Sequence, residues 1–172
     1  IGPQGSALSA FGTAIYRDSL YIAGSQGLMV APLLQNLNLQ DFNSWSVVSS
    51  SVGLPTSQMR HVAVWNGSLW AATAQGLLYF YNDVWQFSQN QTGSTIRSID
   101  ISGDRMLITA AGGVFEWLDD GSFRGLNLGV PDPSNAIFHR NAYWVADRQK
   151  GLLRFRGNAT DLLSPRGPVT DQ

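Results

Sequence analysis

The sequence repeats itself, and the repeat constrains the fold more than any other feature. Four segments superpose: Thr13 to Pro32 (TAIYRDSLYIAGSQGLMVAP), Val62 to Tyr81 (VAVWNGSLWAATAQGLLYFY), Ile99 to Leu118 (IDISGDRMLITAAGGVFEWL) and Ala136 to Phe155 (AIFHRNAYWVADRQKGLLRF). Each reads as an apolar run, a polar turn, a second apolar run, a turn closing on glycine and a third apolar run. That is the pattern of three strands in an antiparallel meander. The columns align. Ile15, Val64, Ile101 and Phe138 share one position of the first strand; Leu20, Leu69, Met106 and Tyr143 open the second; Gly27, Gly76, Gly113 and Gly151 close the second turn. Tight hairpin turns often require positive φ, which glycine alone adopts without a Cβ penalty. Successive glycines of this column stand 49, 37 and 38 residues apart, bracketing the roughly 40–45 residues of a four-stranded propeller blade. The long first interval contains an insertion from Leu33 to Ser44.

A fourth, weaker strand follows at Trp45 to Val48 and Trp85 to Phe87, with a fainter counterpart at Ser122 to Arg124. Linkers such as Gly53-Leu54-Pro55 and Gly129-Val130-Pro131 lead into the next repeat. Second strands are large on both faces, as in Leu69-Trp70-Ala71-Ala72 and Tyr143-Trp144-Val145-Ala146, so both faces must be covered. A propeller achieves this by packing each blade between two neighbours. No sustained 3.6-residue apolar period supports an α-rich alternative. The expected fold is all-β, a propeller of about four blades with cores at 13–48, 62–87, 99–124 and 136–163. Four repeats permit a closed ring or an arc of a larger one. The arc is preferred, because Ile1-Gly2-Pro3 resembles an exit from a preceding blade and Leu162 to Pro168 resembles a strand and linker into a following one.

Composition then removes whole classes of function. With 11 basic and 12 acidic side chains among 172 residues the net charge is -1, and nothing resembles the electrostatic footprint that nucleic acid or an anionic membrane surface requires. Charged residues make up only 13%, against about 25% in an average soluble domain, as expected of strands covered on both faces. The absence of cysteine excludes disulfides, thiolate metal sites and a cysteine nucleophile. No apolar run reaches the 18 or more residues of a spanning helix. Beginning at Ile1, without methionine, suits a mature or excised chain, and any export signal is expected to lie outside it.

Catalytic constellations are not evident, and an enzyme is not expected. His61, read as preceding a first strand, and His139, read in the turn after one, lack metal-ligand spacing and fit structural or surface roles. No G-x-S-x-G elbow occurs, and Ser49-Ser50-Ser51 lies in a linker without a nearby base. Asp119-Asp120-Gly121 reads as a hairpin turn rather than a calcium loop. Asp18, Asn66 and Asp104 fall in the turns between first and second strands. Paired carboxylates of the kind a glycosidase uses do not recur at strand ends. No catalytic, cofactor or metal residues are therefore assigned.

The six tryptophans carry more information, because aromatic faces also bind sugars. Trp70 and Trp144 share a column with Tyr21 and Leu107 and are expected to pack between blades. Trp45 and Trp85 open the fourth strands. Trp65, in the Trp65-Asn66-Gly67 turn, is the candidate for an exposed ligand-binding face. Asn66-Gly67-Ser68, Asn90-Gln91-Thr92 and Asn158-Ala159-Thr160 match the N-glycosylation triplet, a weak signal in a chain rich in Ser, Thr and Asn together.

The repeat unit also carries a resemblance. Gly53-Leu54-Pro55, Val62-Ala63-Val64, Gly67 to Thr73 and Gly76-Leu77 look like the blade motif of periplasmic sensor propellers in two-component regulators. Ile1 to Ser6, Ile15 to Ala23, Gly27-Leu28, Ala31-Pro32-Leu33 and Asn38 to Trp45, insertion included, resemble the N-terminal propeller of the PorZ family, as does Ser164 to Pro168. That resemblance implies a surface component of the type IX secretion system of Bacteroidota, with two propellers and an immunoglobulin-like C-terminal domain. It implies work beside the sortase PorU, PorV and PorQ in attaching cargo to lipopolysaccharide. The expected function is then a non-catalytic binding or scaffold module at the cell surface, outer membrane or periplasm. A glycan-sensing ectodomain of a two-component system is the alternative. An unclosed arc also exposes apolar faces on its first and last blades, so self-association through the terminal blades is expected.

Overall fold

A computed structural model describes residues 9–25, 27–48, 54, 59–88, 94–118 and 120–163. Among the described residues, sixteen strands form four antiparallel sheets, each a meander of four consecutive strands. Blade one contains β1 (Ala10–Tyr16), β2 (Ser19–Gly24), β3 (Gly27–Pro32) and β4 (Ser46–Val47). Blade two contains β5 (Met59–Trp65), β6 (Ser68–Thr73), β7 (Leu77–Tyr81) and β8 (Val84–Phe87). Blade three contains β9 (Ile96–Ser102), β10 (Arg105–Ala110), β11 (Gly113–Trp117) and β12 (Phe123–Gly125). Blade four contains β13 (Pro133–His139), β14 (Ala142–Asp147), β15 (Gly151–Arg156) and β16 (Ala159–Leu163). No helix among the described residues is long and apolar enough to cross a membrane.

The turns follow from local backbone preference. Arg17-Asp18, Asn66-Gly67 and Arg140-Asn141 join first to second strands with both residues at positive φ, the two-residue hairpin geometry whose twist matches the flanking strands. The column glycines all take positive φ: 103° at Gly27, 146° at Gly76, 141° at Gly113 and 83° at Gly151. In blade two the adjoining turn is closed by Thr73, whose Oγ1 accepts from Gln75 and Gly76 N–H. In blade four Asp147 does the same for Gln149 and Lys150 and also accepts from Asp132 N–H. Burial alone would raise the Asp147 pKa, but these backbone donors and the Lys150 charge together hold it below the usual carboxylate value. At Asp120-Gly121, Asp120 accepts from the Ser122 amide and hydroxyl and Gly121 takes φ 80°, as a hairpin turn requires. Asp119 lies outside the described residues.

The core is a series of layers between blades. Leu28, Leu69 and Leu78 join Tyr16, Met59 and Trp85 between blades one and two. Trp65, Trp70 and Leu77 meet Ile99, Met106 and Ile108 between blades two and three. Val114 meets Ala136, Val145 and Leu153 between blades three and four. The innermost strands pack β1 on β5, β5 on β9 and β9 on β13, and no comparable packing returns β13 to β1. Ile15 and Ile137 show what this leaves open. Ile15 is 64% exposed and Ile137 43% exposed, whereas Val64, the equivalent of Ile15 in blade two, and Ala14, the equivalent of Ile137 in blade one, both pack against the core between blades one and two. The four sheets therefore form an arc, with the leading face of blade one and the trailing face of blade four unpartnered among the described residues.

In one respect every blade departs from its expected bounds. The innermost strands begin at Ala10, Met59, Ile96 and Pro133, three residues before the aligned repeats at 13, 62, 99 and 136. The cause is a β-bulge at the same place in each. Pairing jumps between Ala10 and Gly12, Met59 and His61, Ile96 and Ser98, and Pro133 and Asn135. An extra residue breaks the two-residue alternation, so the strand continues where the apolar pattern stops.

Candidate functional site

The four bulged residues are Phe11, Arg60, Arg97 and Ser134, and all four line one cavity of about 740 Å³ at the mouth of the axis. Bulges re-aim side chains and recur beside active sites. Here the same device, repeated by the fold, turns one residue from each innermost strand toward a shared space. The residues that follow form a second column: Gly12, His61, Ser98 and Asn135. Thr95 and Arg148 complete much of the polar wall. The volume is within the roughly 300–1,000 Å³ of small-molecule sites.

Several of these groups hold the blades in register. Arg97 donates to Asp132 Oδ1 at 2.5 Å and to the Pro133 carbonyl at 2.6 Å, tying blade three to the strand that opens blade four. Ser134 Oγ donates to the Ala146 carbonyl, and Thr95 Oγ1 to that of Ala74. His61 Nδ1 accepts the Ile99 amide at 3.3 Å, bridging blades two and three. Burial lowers the His61 pKa, so the ring is neutral with its proton on Nε2. Its far edge lies against Gly12 of blade one, where a Cβ would meet His61 Cδ2 at 2.4 Å.

Other groups have no such employment. Arg60 and Arg148 are exposed and form no ion pair among the described residues. Ser98 is 4% exposed, yet its Oγ bonds to nothing among the described residues. Thr109, its cross-strand partner, is buried with an equally unpartnered Oγ1. Among the described residues, no carboxylate lines the cavity.

A second charged cluster has a structural role. Glu116 is buried in the blade three–four interface and accepts from Arg105 at 3.0 Å and from Arg124. The Arg105 guanidinium lies 4.5 Å from the Phe138 ring centroid and 3.3 Å from the Tyr143 hydroxyl, both in blade four. The two guanidiniums share the single Glu116 carboxylate.

The residues singled out in the sequence fall elsewhere. Trp65 is not the exposed face expected of it. It closes β5 with 6% exposure and meets Trp70 edge-on, centroids 6.0 Å apart. Alternation places its side chain opposite that of Val64, and therefore between blades two and three. Trp70 is buried there against Trp117, 5.2 Å away. Trp144 is half-buried on the trailing face of blade four beneath Arg154. Trp85 is buried in β8, and Trp45 donates to the Leu39 carbonyl of the insertion. His61 lies inside β5 rather than before it, because the bulge extends that strand; His139 is the exposed last residue of β13. Asn66 and Asn158 sit in turns, whereas Ser49 to Ser51 and Asn90 to Thr92 lie outside the described residues. The bulge column was available to the sequence as the position three residues before each aligned segment's second residue, but no apolar periodicity marks it.

The architecture has close counterparts among solved structures. An extracellular domain ascribed to the hybrid two component system BT4673 from B. thetaiotaomicron superposes with a TM-score of 0.72 at 13% identity, over 93% of this chain and 23% of that one. PorZ, a surface component of the type-IX secretion system of Porphyromonas gingivalis, gives 0.64 at 13% identity, over 95% and 22%. The extracellular domain of BT3049, also from B. thetaiotaomicron, gives 0.63 at 18% identity, over 84% and 22%. The fold is that of a propeller arc. This chain spans less than a quarter of each of these proteins. No protein-family model matches the sequence, and no curated protein matches it.

Proposed function

We propose that the chain is a non-catalytic binding and scaffold segment of an exported β-propeller, in a PorZ-like protein that supports attachment of secreted cargo to surface lipopolysaccharide. The observation that carries the binding reading is the fourfold bulge, which directs one side chain per blade into a cavity lined by hydrogen-bond donors and cations and, among the described residues, by no carboxylate. General acid–base chemistry on a substrate asks for a titratable acid or base in reach. The one histidine in the lining is instead spent on the Ile99 amide and the Gly12 contact. The open terminal faces supply the scaffold half of the reading, since they can pack on further blades or on attachment-complex partners such as a PorU-like sortase.

Deleting the encoding gene tests this. Cargo should then be secreted without being anchored to the cell surface, and the tagged protein should co-purify with the sortase; normal anchoring in the deletion strain would overturn the reading. The alternative is a ligand-sensing ectodomain, favoured by the 0.72 TM-score to the BT4673 domain. The full open reading frame separates the two, through an immunoglobulin-like C-terminal domain in one case and a membrane span with a kinase in the other.

A further inference from the structure

We propose that the axial cavity binds an oxyanion, a carboxylate or phosphate group on a compact ligand, held by Arg60 and Arg148 with Ser98 as a buried hydrogen-bond donor. This rests on the reading of the chain as a binding module and adds the ligand's chemistry to it. Three independent observations converge. The first is charge. Of the three arginines in the lining, Arg97 is neutralised by Asp132, leaving Arg60 and Arg148 without an ionic partner among the described residues. Guanidinium groups present forked donors that match carboxylate and phosphate oxygens.

The second is satisfaction. A hydroxyl removed from water without a partner costs about 1–3 kcal/mol, so the buried Ser98 Oγ is an expense that a ligand oxygen at this wall would offset. The neighbouring Ser134 and Thr95 hydroxyls already donate to carbonyls. The third is placement. Arg60 is a bulged residue and so owes its direction to a feature built into every blade. It enters the cavity from blade two while Arg148 enters from the turn that follows β14 of blade four, so two cations from different blades line one space. Among the described residues, the wall offers no carboxylate to repel an anion.

Titration calorimetry on the intact chain, at low salt, tests the inference with three probes: inorganic phosphate, glucuronate and glucose. Phosphate and glucuronate should bind at least tenfold more tightly than glucose, with affinity falling as salt rises; the tighter of the two distinguishes a phosphate from a carboxylate source. Arg60→Gln and Arg148→Gln should each weaken binding at least tenfold while leaving the melting temperature unchanged, since both side chains are exposed. Ser98→Ala should weaken binding several-fold without loss of stability, a combination that a purely structural serine would not give. Equal binding of glucose, binding that survives both arginine substitutions, or no binding of either anion would overturn the proposal. Those outcomes leave the co-purification and anchoring experiments untouched, so the oxyanion site and the scaffold reading fail separately.

Discussion

The contact between Gly12 and His61 gives the sharpest prediction, because it joins blades one and two at the rim of the cavity. Gly12 does not take positive φ, so its backbone accommodates alanine, and Gly→Ala in such a place ordinarily stabilises by about 0.4–1 kcal/mol through the unfolded chain. Here the added Cβ would stand 2.4 Å from His61 Cδ2 and 2.9 Å from Nε2. The ring has little freedom to withdraw, because its Nδ1 is fixed on the Ile99 amide. Overpacking of this kind costs about 1–3 kcal/mol. The net loss is then about 1–2 kcal/mol, which for a domain of this size lowers the melting temperature by roughly 2–8 °C. Thermal denaturation of Gly12→Ala, His61→Ala and the double variant measures it. The single alanine should destabilise in the presence of His61 and not in its absence, giving a coupling energy of about 1 kcal/mol or more. A Gly12→Ala protein that melts higher than the parent, or a double variant whose effects simply add, would refute the packing described.

Trp65→Ala should cost about 3–5 kcal/mol, the range for emptying a large core aromatic, while leaving anion affinity of the surviving folded fraction unchanged; urea titration with calorimetry reads both. Stability should also depend on His61. Its folded pKa lies below the 6.5 of the free side chain, so its contribution is complete above that value and is lost as pH falls through it toward the folded pKa, where the unfolded chain binds the extra proton. Denaturant midpoints between pH 7 and 5 should therefore fall, and His61→Gln should flatten the slope; an unchanged slope would contradict a His61 pKa lowered by burial. Finally, Ile15, Ile137 and Leu152 are exposed on the terminal blades, so sedimentation should show association rising with concentration. A clean monomer at high concentration would contradict an apolar docking face there.

What the sequence disclosed and what it hid divide along physical lines. The glycine column and the two-residue turns are legible because each is a local backbone requirement. The layered core follows from apolar residues on both faces of strands such as Leu69 to Ala72, and the insertion from Leu33 to Ser44 is visible as a lengthened interval. The bulge column was hidden, because an inserted residue interrupts the alternation from which strands are read. For that reason Phe11, Arg60, Arg97 and Ser134 look like linker residues in the sequence and become the cavity wall in the fold. Trp65 misled for a related reason. Its place next to Asn-Gly marks a turn, but whether the last residue of the strand faces solvent or a neighbouring blade is decided by blade packing, which no local window contains.

The four blades form an arc rather than a closed ring. The chain has no cysteine, so a single introduced pair reports cleanly. Ile15 and Ile137 are the repeat equivalents of Val64 and Ala14, which both pack against the core between blades one and two; in a closed four-bladed ring they would face one another across the closing interface in the same way. Mild oxidation of the Ile15→Cys, Ile137→Cys variant should leave both thiols titratable in the monomer, with any disulfide joining two chains. A monomer that loses both thiols to an intrachain disulfide would show a closed ring and contradict the arc.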